Sequence, residues 1–160
     1  MAQIDNHLKW CLKDIDRLKK VKPDKELAMS HLEKSEYNAD VMKLLESSKK
    51  YDWALNVGFY AVYHCFLAIL AKFGYESKNQ SCSITVLIKL IEDKKLELDK
   101  DLILQFDTLE ADKEAKSATV RQTREISTYG VKTEIGTKQL KHVKDLIVKV
   151  QRETIRVLNE

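Results

Sequence analysis

The chain has 160 residues, a net charge of +3, and 44% hydrophobic and 33% charged residues. Its four glycines and one proline leave few turn-formers, which is typical of one helical domain and excludes a disordered or fibrous chain. The small net charge implies no general affinity for nucleic acid. Residues 111–160 carry 11 basic against 7 acidic residues, a local excess that suits an anion-binding surface or a solvated helix face. Charge alone favours the solvated face.

The first predicted helix covers residues 3–20, and its N-terminus is charged throughout, so we expect no signal peptide. Its apolar face consists of Ile4, Leu8, Cys11, Ile15 and Leu18. Pro23 breaks this pattern, and Asp24 is placed to cap a second helix over about 24–48. The inner face of that helix is predicted to carry Ala28, Leu32, Ser35, Ala39, Met42 and Leu45. The small Ser35 and Ala39 allow another helix to approach closely.

A run of 19 uncharged residues, Trp53–Ala71, is the most apolar part of the chain. A helix that is apolar on all sides must be covered by protein or by lipid. Asn56, Gly58 and His64 lie within the run and favour a buried core helix. We therefore predict an all-α, up-and-down antiparallel bundle of five to six helices around this segment, without strands and without membrane contact. Gly74 is expected to end the central helix in a left-handed cap.

Three more helices are predicted beyond Gly74. A short one begins at Ser81 or Ser83, a fifth buries Leu98, Leu102, Phe106 and Leu109, and the last spans about 137–158. Residues 110–118 form either an exposed continuation of the fifth helix or a loop. The last helix carries a near-heptad stripe of Leu140, Val143, Ile147, Val150, Thr154 and Val157. With no long linker or repeat, residues 1–160 are expected to form one domain.

The three cysteines, Cys11, Cys65 and Cys82, are far apart in the sequence and lack the close spacing of a zinc site. Reduced, buried thiols in a cytoplasmic protein are the expected state, with no metal and no cofactor.

Two groups of residues are candidates for chemistry. His64 lies with Tyr60 and Tyr63 in the central helix, where a histidine is more often a hydrogen-bonded core residue than a catalyst. The tyrosines are expected to pack, with their hydroxyls at a polar rim.

The second group is Arg121 and Arg124, three residues apart on one helix face, followed by Tyr129. Guanidinium groups bind phosphate through a planar fork of donors, and a tyrosine can stack on a base. The alternative is two exposed arginines that pair with nearby acids (Asp112, Glu114 or Glu125) and a tyrosine that seals the helix end. The sequence alone favours neither the anion-binding site nor the exposed, acid-paired arginines.

Several short motifs, in their order and spacing, resemble the HEPN superfamily, especially its small stand-alone prokaryotic members. Tyr60-Ala61-Val62-Tyr63-His64 is similar to the Tyr-Ala-x-Phe-His signature of the central helix. Lys78-Asn79-Gln80-Ser81 resembles the Lys-x-His-Ser link, and Arg124 to Tyr129 resembles the Arg-x-x-Ala-Asp-Tyr element before the last helix. The likeness covers roughly residues 27–158, so residues 24–158 are predicted to form a HEPN-like core and residues 1–22 an additional helix.

The resemblance implies a helical bundle that is commonly dimeric, and many members pair with an MNT-type nucleotidyltransferase as toxin and antitoxin. Many are also metal-independent RNases built on Arg-x(4–6)-His. Arg124 matches the arginine, but Tyr129 stands where the histidine would be, and Gln80 replaces a histidine common in the link. An unperturbed tyrosine has a pKa of about 10 and is a poor base at neutral pH.

Three functions follow. The first is a HEPN module that binds RNA or nucleotide and a protein partner through Arg121, Arg124 and Tyr129, doubled across a homodimer. The second is a metal-independent endoribonuclease that uses Arg124 and Tyr129, with His64 or His142 as the proton carrier. The third is a non-catalytic helical adaptor or dimerisation module that pairs through the stripe on residues 140–157.

Overall fold

The structure, a computed structural model, describes residues 2–107, 121–122, 124–125 and 137–160. Its elements in chain order are α1 (Ala2–Leu12), β1 (Leu18–Lys20), α2 (Lys25–Ser47), α3 (Tyr51–Phe73), β2 (Tyr75–Ser77), α4 (Gln80–Glu92), α5 (Lys100–Phe106) and α6 (Thr137–Leu158). Residues 121–122 and 124–125 are also helical. The predicted helical bundle is confirmed, and the prediction that no strands form is wrong for β1 and β2.

Helix α3 is the core of the bundle, with α2 and α6 packed along it. Three residues, 48–50, separate α2 from α3, and so short a connection makes them antiparallel neighbours. A Cβ added at Gly58 would lie 2.8 Å from Val143 and 2.9 Å from Met42, so this glycine permits the close packing of three helices. By length and composition α3 could cross a membrane, but 67% of its most apolar window is buried inside the bundle. The predicted core helix is confirmed.

The exposed edge of α3 was not expected from its composition. Trp53 and Tyr60, seven residues apart on one face of the helix, are 54% and 42% exposed. The bundle therefore covers α3 on most of its circumference and leaves an aromatic edge open.

The apolar faces predicted for α2 and α6 point into the core. Ala28, Leu32, Ser35 and Met42 of α2 are buried, and the Ser35 hydroxyl donates to the Ala61 carbonyl of α3 at 2.6 Å. On α6 the whole stripe is buried, namely Leu140, Val143, Ile147, Val150, Thr154 and Val157. An adaptor that pairs through this stripe is therefore a wrong prediction, because the stripe already packs against its own bundle.

The N-terminal helix predicted over 3–20 ends at Leu12. The Asp14 carboxylate accepts from the Asp16 amide at 2.9 Å, a local turn that competes with continued helix. Leu18–Lys20 then pairs antiparallel with Tyr75–Ser77, with Leu18 opposite Ser77. Leu18 is buried in the core as expected, but it belongs to a strand and not to a helix, and Ile15 is 68% exposed.

The helix ends follow local chemistry. Asp24 caps α2 by accepting from the Leu27 amide at 2.9 Å, as predicted. Gly74 ends α3 at φ +84°, and a Cβ there would lie 2.6 Å from the Val21 carbonyl, so both conformation and space require glycine. Helix α4 is capped by Asn79, which accepts from the Cys82 amide at 3.1 Å, and it begins at Gln80 and not at Ser81 or Ser83 as expected.

Cys11 of α1 and Cys82 of α4 form a disulfide, with Cα atoms 5.8 Å apart and a sequence separation of 71. The expectation of three reduced thiols is therefore wrong for this pair. Cys65 is free and buried, as expected, and its Sγ lies 3.1 Å from the Ser35 hydroxyl. Burial raises the pKa of Cys65 to about 11, which keeps it an unreactive thiol.

Several predictions fall outside the described residues. These concern Leu109, the segment 110–118, Tyr129 with its neighbours, and the break at 130–136.

Candidate anion-binding site

The floor of the site is a cluster of aromatic rings where α3 meets α5. Phe106, the last residue of α5, is fully buried, and its ring centroid lies 4.8 Å from Phe59, 6.0 Å from Tyr63 and 5.1 Å from Phe66. Offset and edge-to-face ring pairs of this kind add to the burial of apolar area. The cluster holds the buried Phe59 ring in the position where the Arg124 guanidinium packs against it.

Arg124 lies on this floor. Its guanidinium carbon is 4.4 Å from the Phe59 ring centroid and 5.9 Å from that of Tyr60, and its side chain is 15% exposed. A cation over a ring face is stabilised by the ring quadrupole, most strongly where water is excluded. Its Nη2 lies 4.0 Å from the Glu125 carboxylate. Within residues 2–107, 121–122, 124–125 and 137–160, the buried Nε has no hydrogen-bond partner.

Arg121 has a different environment because two carboxylates hold it. Its Nη1 donates to the buried Asp107 at 3.1 Å, and its Nε donates to Glu125 at 3.2 Å. Burial lowers the pKa of Arg121, but the attraction of Asp107 and Glu125 outweighs it, so the pKa lies above the usual value. The predicted alternative, pairing with Glu125, is therefore observed for Arg121, while Asp112 and Glu114 lie outside the described residues.

Asp107 joins Arg121 to the link before α4. The Gln80 side-chain amide donates to Asp107 Oδ2 at 3.1 Å, the same oxygen that accepts from Arg121. Gln80 stands at the position that the motif comparison gave to a histidine, and here its amide supplies a hydrogen bond without a titrating proton.

The tyrosine hydroxyl of the central motif reaches the same link. Tyr63 Oη lies 3.0 Å from Ser83 Oγ, and Ser83 in turn donates to Ser77 Oγ at 2.7 Å. Burial raises the pKa of Tyr63, so it remains a neutral phenol. Its expected role, a packed ring with its hydroxyl at a polar rim, matches this geometry.

His64 points to α2. Its Nδ1 lies 3.0 Å from Nδ1 of His31, so one ring donates while the other accepts. Burial, with help from the nearby His31 and Lys34, lowers the pKa of His64 to about 4, and burial also lowers the pKa of His31. Both imidazoles are therefore neutral at pH 7, as the hydrogen-bonded core interpretation expects.

The pairing of these histidines predicts a stability loss in acid. The unfolded chain protonates His64 near pH 6.5, whereas the native ring does so only near pH 4. As the pH falls through this window, the unfolded state binds a proton that the native state does not, and the free energy of unfolding drops. We expect His64→Gln to flatten this drop in urea titrations at pH 7, 6, 5 and 4.

The matched control for this prediction is the exposed His142 of α6. His142→Gln should follow the wild-type dependence throughout. A parallel fall in wild type and His64→Gln would show that the native His64 ring protonates as readily as an unfolded one.

The predicted site residues are thus only partly brought together. Arg121 and Arg124 share Glu125, and Arg124 contacts Tyr60 of the central motif. His64 is engaged with His31, His142 is exposed on α6, and Tyr129 lies outside the described residues.

Sequence reasoning missed two members of the site. Asp107 was not among the predicted site residues, although it directly follows the apolar end of α5. Phe59 was predicted only as part of the apolar run, yet the Arg124 guanidinium packs against its ring. Its position immediately before Tyr60 is the only signal that the sequence offers.

Comparison with known proteins gives the class of this bundle. Residues 28–153 match the HEPN domain, which is well over half of the chain. The chain belongs to the HEPN domain family. No curated protein matches it significantly.

Proposed function

We propose that this HEPN-domain protein binds RNA or a nucleotide through an anion site centred on Arg124, without catalysing its cleavage. The observation that carries the proposal is the contrast between the two arginines. Within the described residues, Arg121 pairs with two carboxylates at 3.1 and 3.2 Å, while Arg124 has one acid at 4.0 Å and an Nε without a partner. A phosphate oxygen would supply the missing acceptor.

The surroundings of Arg124 support a phosphate ligand over a further protein acid. A guanidinium that is 15% exposed on an aromatic floor is partly desolvated, which strengthens a charge-assisted hydrogen bond. Tyr60 lies beside it with 42% of its surface exposed, as a ring on which a base can stack. In this proposal Arg121 positions the arginine-bearing helix through Asp107, and Tyr129 remains a predicted contact to the ligand.

The proposal that the site does not catalyse rests on the histidines. Cleavage through the ribose 2′-hydroxyl needs a proton carrier that titrates near neutrality. The pKa of His64 is about 4 and its Nδ1 is engaged with His31, so it is a weak base at pH 7. The endoribonuclease alternative would depend on His142 or on Tyr129.

The wider assignments are also proposals. We propose that the protein acts as a homodimer, that residues 24–158 form its HEPN core, and that an MNT-type nucleotidyltransferase is its partner in a toxin–antitoxin pair. We further propose a cytoplasmic location, where thiol reductants would open the Cys11–Cys82 disulfide of this structure.

Binding of fluorescein-labelled single-stranded RNA and of labelled ATP, followed by fluorescence anisotropy, tests the anion site. We expect Arg124→Ala to weaken binding by roughly tenfold or more, since hydrogen bonds to charged groups contribute about 1.5–3 kcal/mol. Arg124→Lys should recover only part of the affinity, because lysine lacks the planar fork.

The matched control is Arg152→Ala, which removes the same charge from an exposed position on α6. It should bind like wild type. Equal affinities for wild type and Arg124→Ala would remove Arg124 from the site. Incubation of RNA in EDTA addresses catalysis, since products with 2′,3′-cyclic phosphate ends would favour the endoribonuclease.

A further inference from the structure

A cluster of potential metal ligands lies where α1 packs on α4, and it shares no residue with the candidate anion-binding site. His7, Cys11 and Cys82 place one ligand atom each within 4.8 Å of one another. His7 and Cys11 are four residues apart and so share one face of α1, and Cys82 lies in the first turn of α4. Both sulfurs are fully buried, while His7 is half-buried and gives the cluster an edge toward solvent.

We propose that the reduced form of this protein binds Zn²⁺ through His7, Cys11 and Cys82. Two thiolates and one imidazole form a ligand set typical of zinc. Zinc bonds of about 2.3 Å to sulfur and 2.0–2.1 Å to nitrogen place tetrahedral ligands roughly 3.5–3.8 Å apart. The present spread of 4.8 Å is close to this, and the Cα separation of 5.8 Å lets the sulfurs move apart once their bond is broken.

The reduced protein retains the geometry of the site, because other contacts also hold α1 on α4. Lys89 of α4 binds Asp5 of α1 at 2.9 Å, and His7 Nε2 lies 2.8 Å from Ser81 Oγ. Neither contact depends on the disulfide. A water is left to fill the fourth position, because the cluster holds three protein ligands among the described residues.

Disulfide and zinc are mutually exclusive states of this cluster. A dithiol reductant breaks the Cys11–Cys82 bond to give two thiols and is itself oxidised to a cyclic disulfide. Zn²⁺ then displaces the two thiol protons and binds the thiolates. The site therefore exists only under reducing conditions.

Cobalt substitution tests the proposal without reference to any activity. The full-length protein is reduced with a phosphine, freed of metal, and titrated with Co²⁺ under anaerobic conditions. We expect one equivalent to produce thiolate-to-cobalt charge-transfer bands, which one equivalent of Zn²⁺ then bleaches. Zn²⁺ should also raise the Tm of the reduced protein and leave that of the oxidised protein unchanged.

Variants separate this site from the remaining thiol. Cys65→Ser should retain the bands, Cys82→Ser should abolish them, and His7→Ala should weaken binding by at least tenfold while keeping both cysteines. Circular dichroism verifies that each variant is folded. Reduced wild type without bands and without zinc uptake would overturn the proposal, as would a His7→Ala variant with unchanged affinity.

Discussion

Phe106→Ala is expected to lower the free energy of unfolding by about 3–5 kcal/mol. The ring of this last residue of α5 is fully buried against α3 and contacts three other aromatic rings, so its removal leaves a cavity that its rigid neighbours cannot fill. The loss would also loosen Phe59, on which Arg124 lies. Urea unfolding followed by circular dichroism measures the change.

Tyr37→Ala is the control for a lost aromatic ring without a cavity, because Tyr37 is 61% exposed on α2. Its effect should stay within about 0.5 kcal/mol. Phe106→Leu, which refills most of the volume, should fall between the two. If Phe106→Ala unfolds at the same urea concentration as Tyr37→Ala, the Phe106 ring does not stabilise the aromatic cluster as described.

Reduction of the Cys11–Cys82 bond is expected to lower the free energy of unfolding by about 4 kcal/mol, because the bond restricts the unfolded chain more than the folded one. The bond spans a sequence separation of 71, and a loop of that size loses much conformational entropy when it is closed. Guanidinium unfolding in EDTA, with and without a phosphine reductant, measures the difference free of metal effects.

The double variant Cys11→Ser with Cys82→Ser is the control for this result. It should be about as stable as reduced wild type, and the reductant should not change it. If wild type keeps its stability while mass spectrometry shows the pair reduced, the constraint on the unfolded chain is too weak to matter.

The helices could be predicted where an apolar stripe repeats over several turns. Most residues on the inner faces of α2 and α6 were predicted, because an apolar period of 3.6 residues sustained over helices of 23 and 22 residues is typical of an amphipathic helix. Three-residue strands carry no such period, so Ile15 and Leu18 continued the pattern of α1 although the Asp14 turn ends that helix. The disulfide was missed for a similar reason, since only the docking of α1 on α4 brings Cys11 to Cys82.

The sequence identified Arg121 and Arg124 as candidates for the site, and only the structure shows that their acidic neighbours differ. Spacing places Arg121 and Arg124 on one helix face, but which one meets an acid depends on Asp107, which another helix delivers. The aromatic support of Arg124 likewise comes from α3. Long-range contacts of this kind leave no local pattern in the chain.

The β-ribbon ties the start of the chain to the domain that follows. Leu18–Lys20 lies before residue 28, where the family match begins, yet it is the partner strand of Tyr75–Ser77, and the Lys78 amide donates to the Arg17 carbonyl at 3.0 Å. Gln80, which reaches Asp107, follows two residues later. A fragment limited to residues 28–153 would lack β1, the strand that pairs with β2 shortly before Gln80. Experiments on the candidate anion-binding site therefore need the N-terminal residues of the chain.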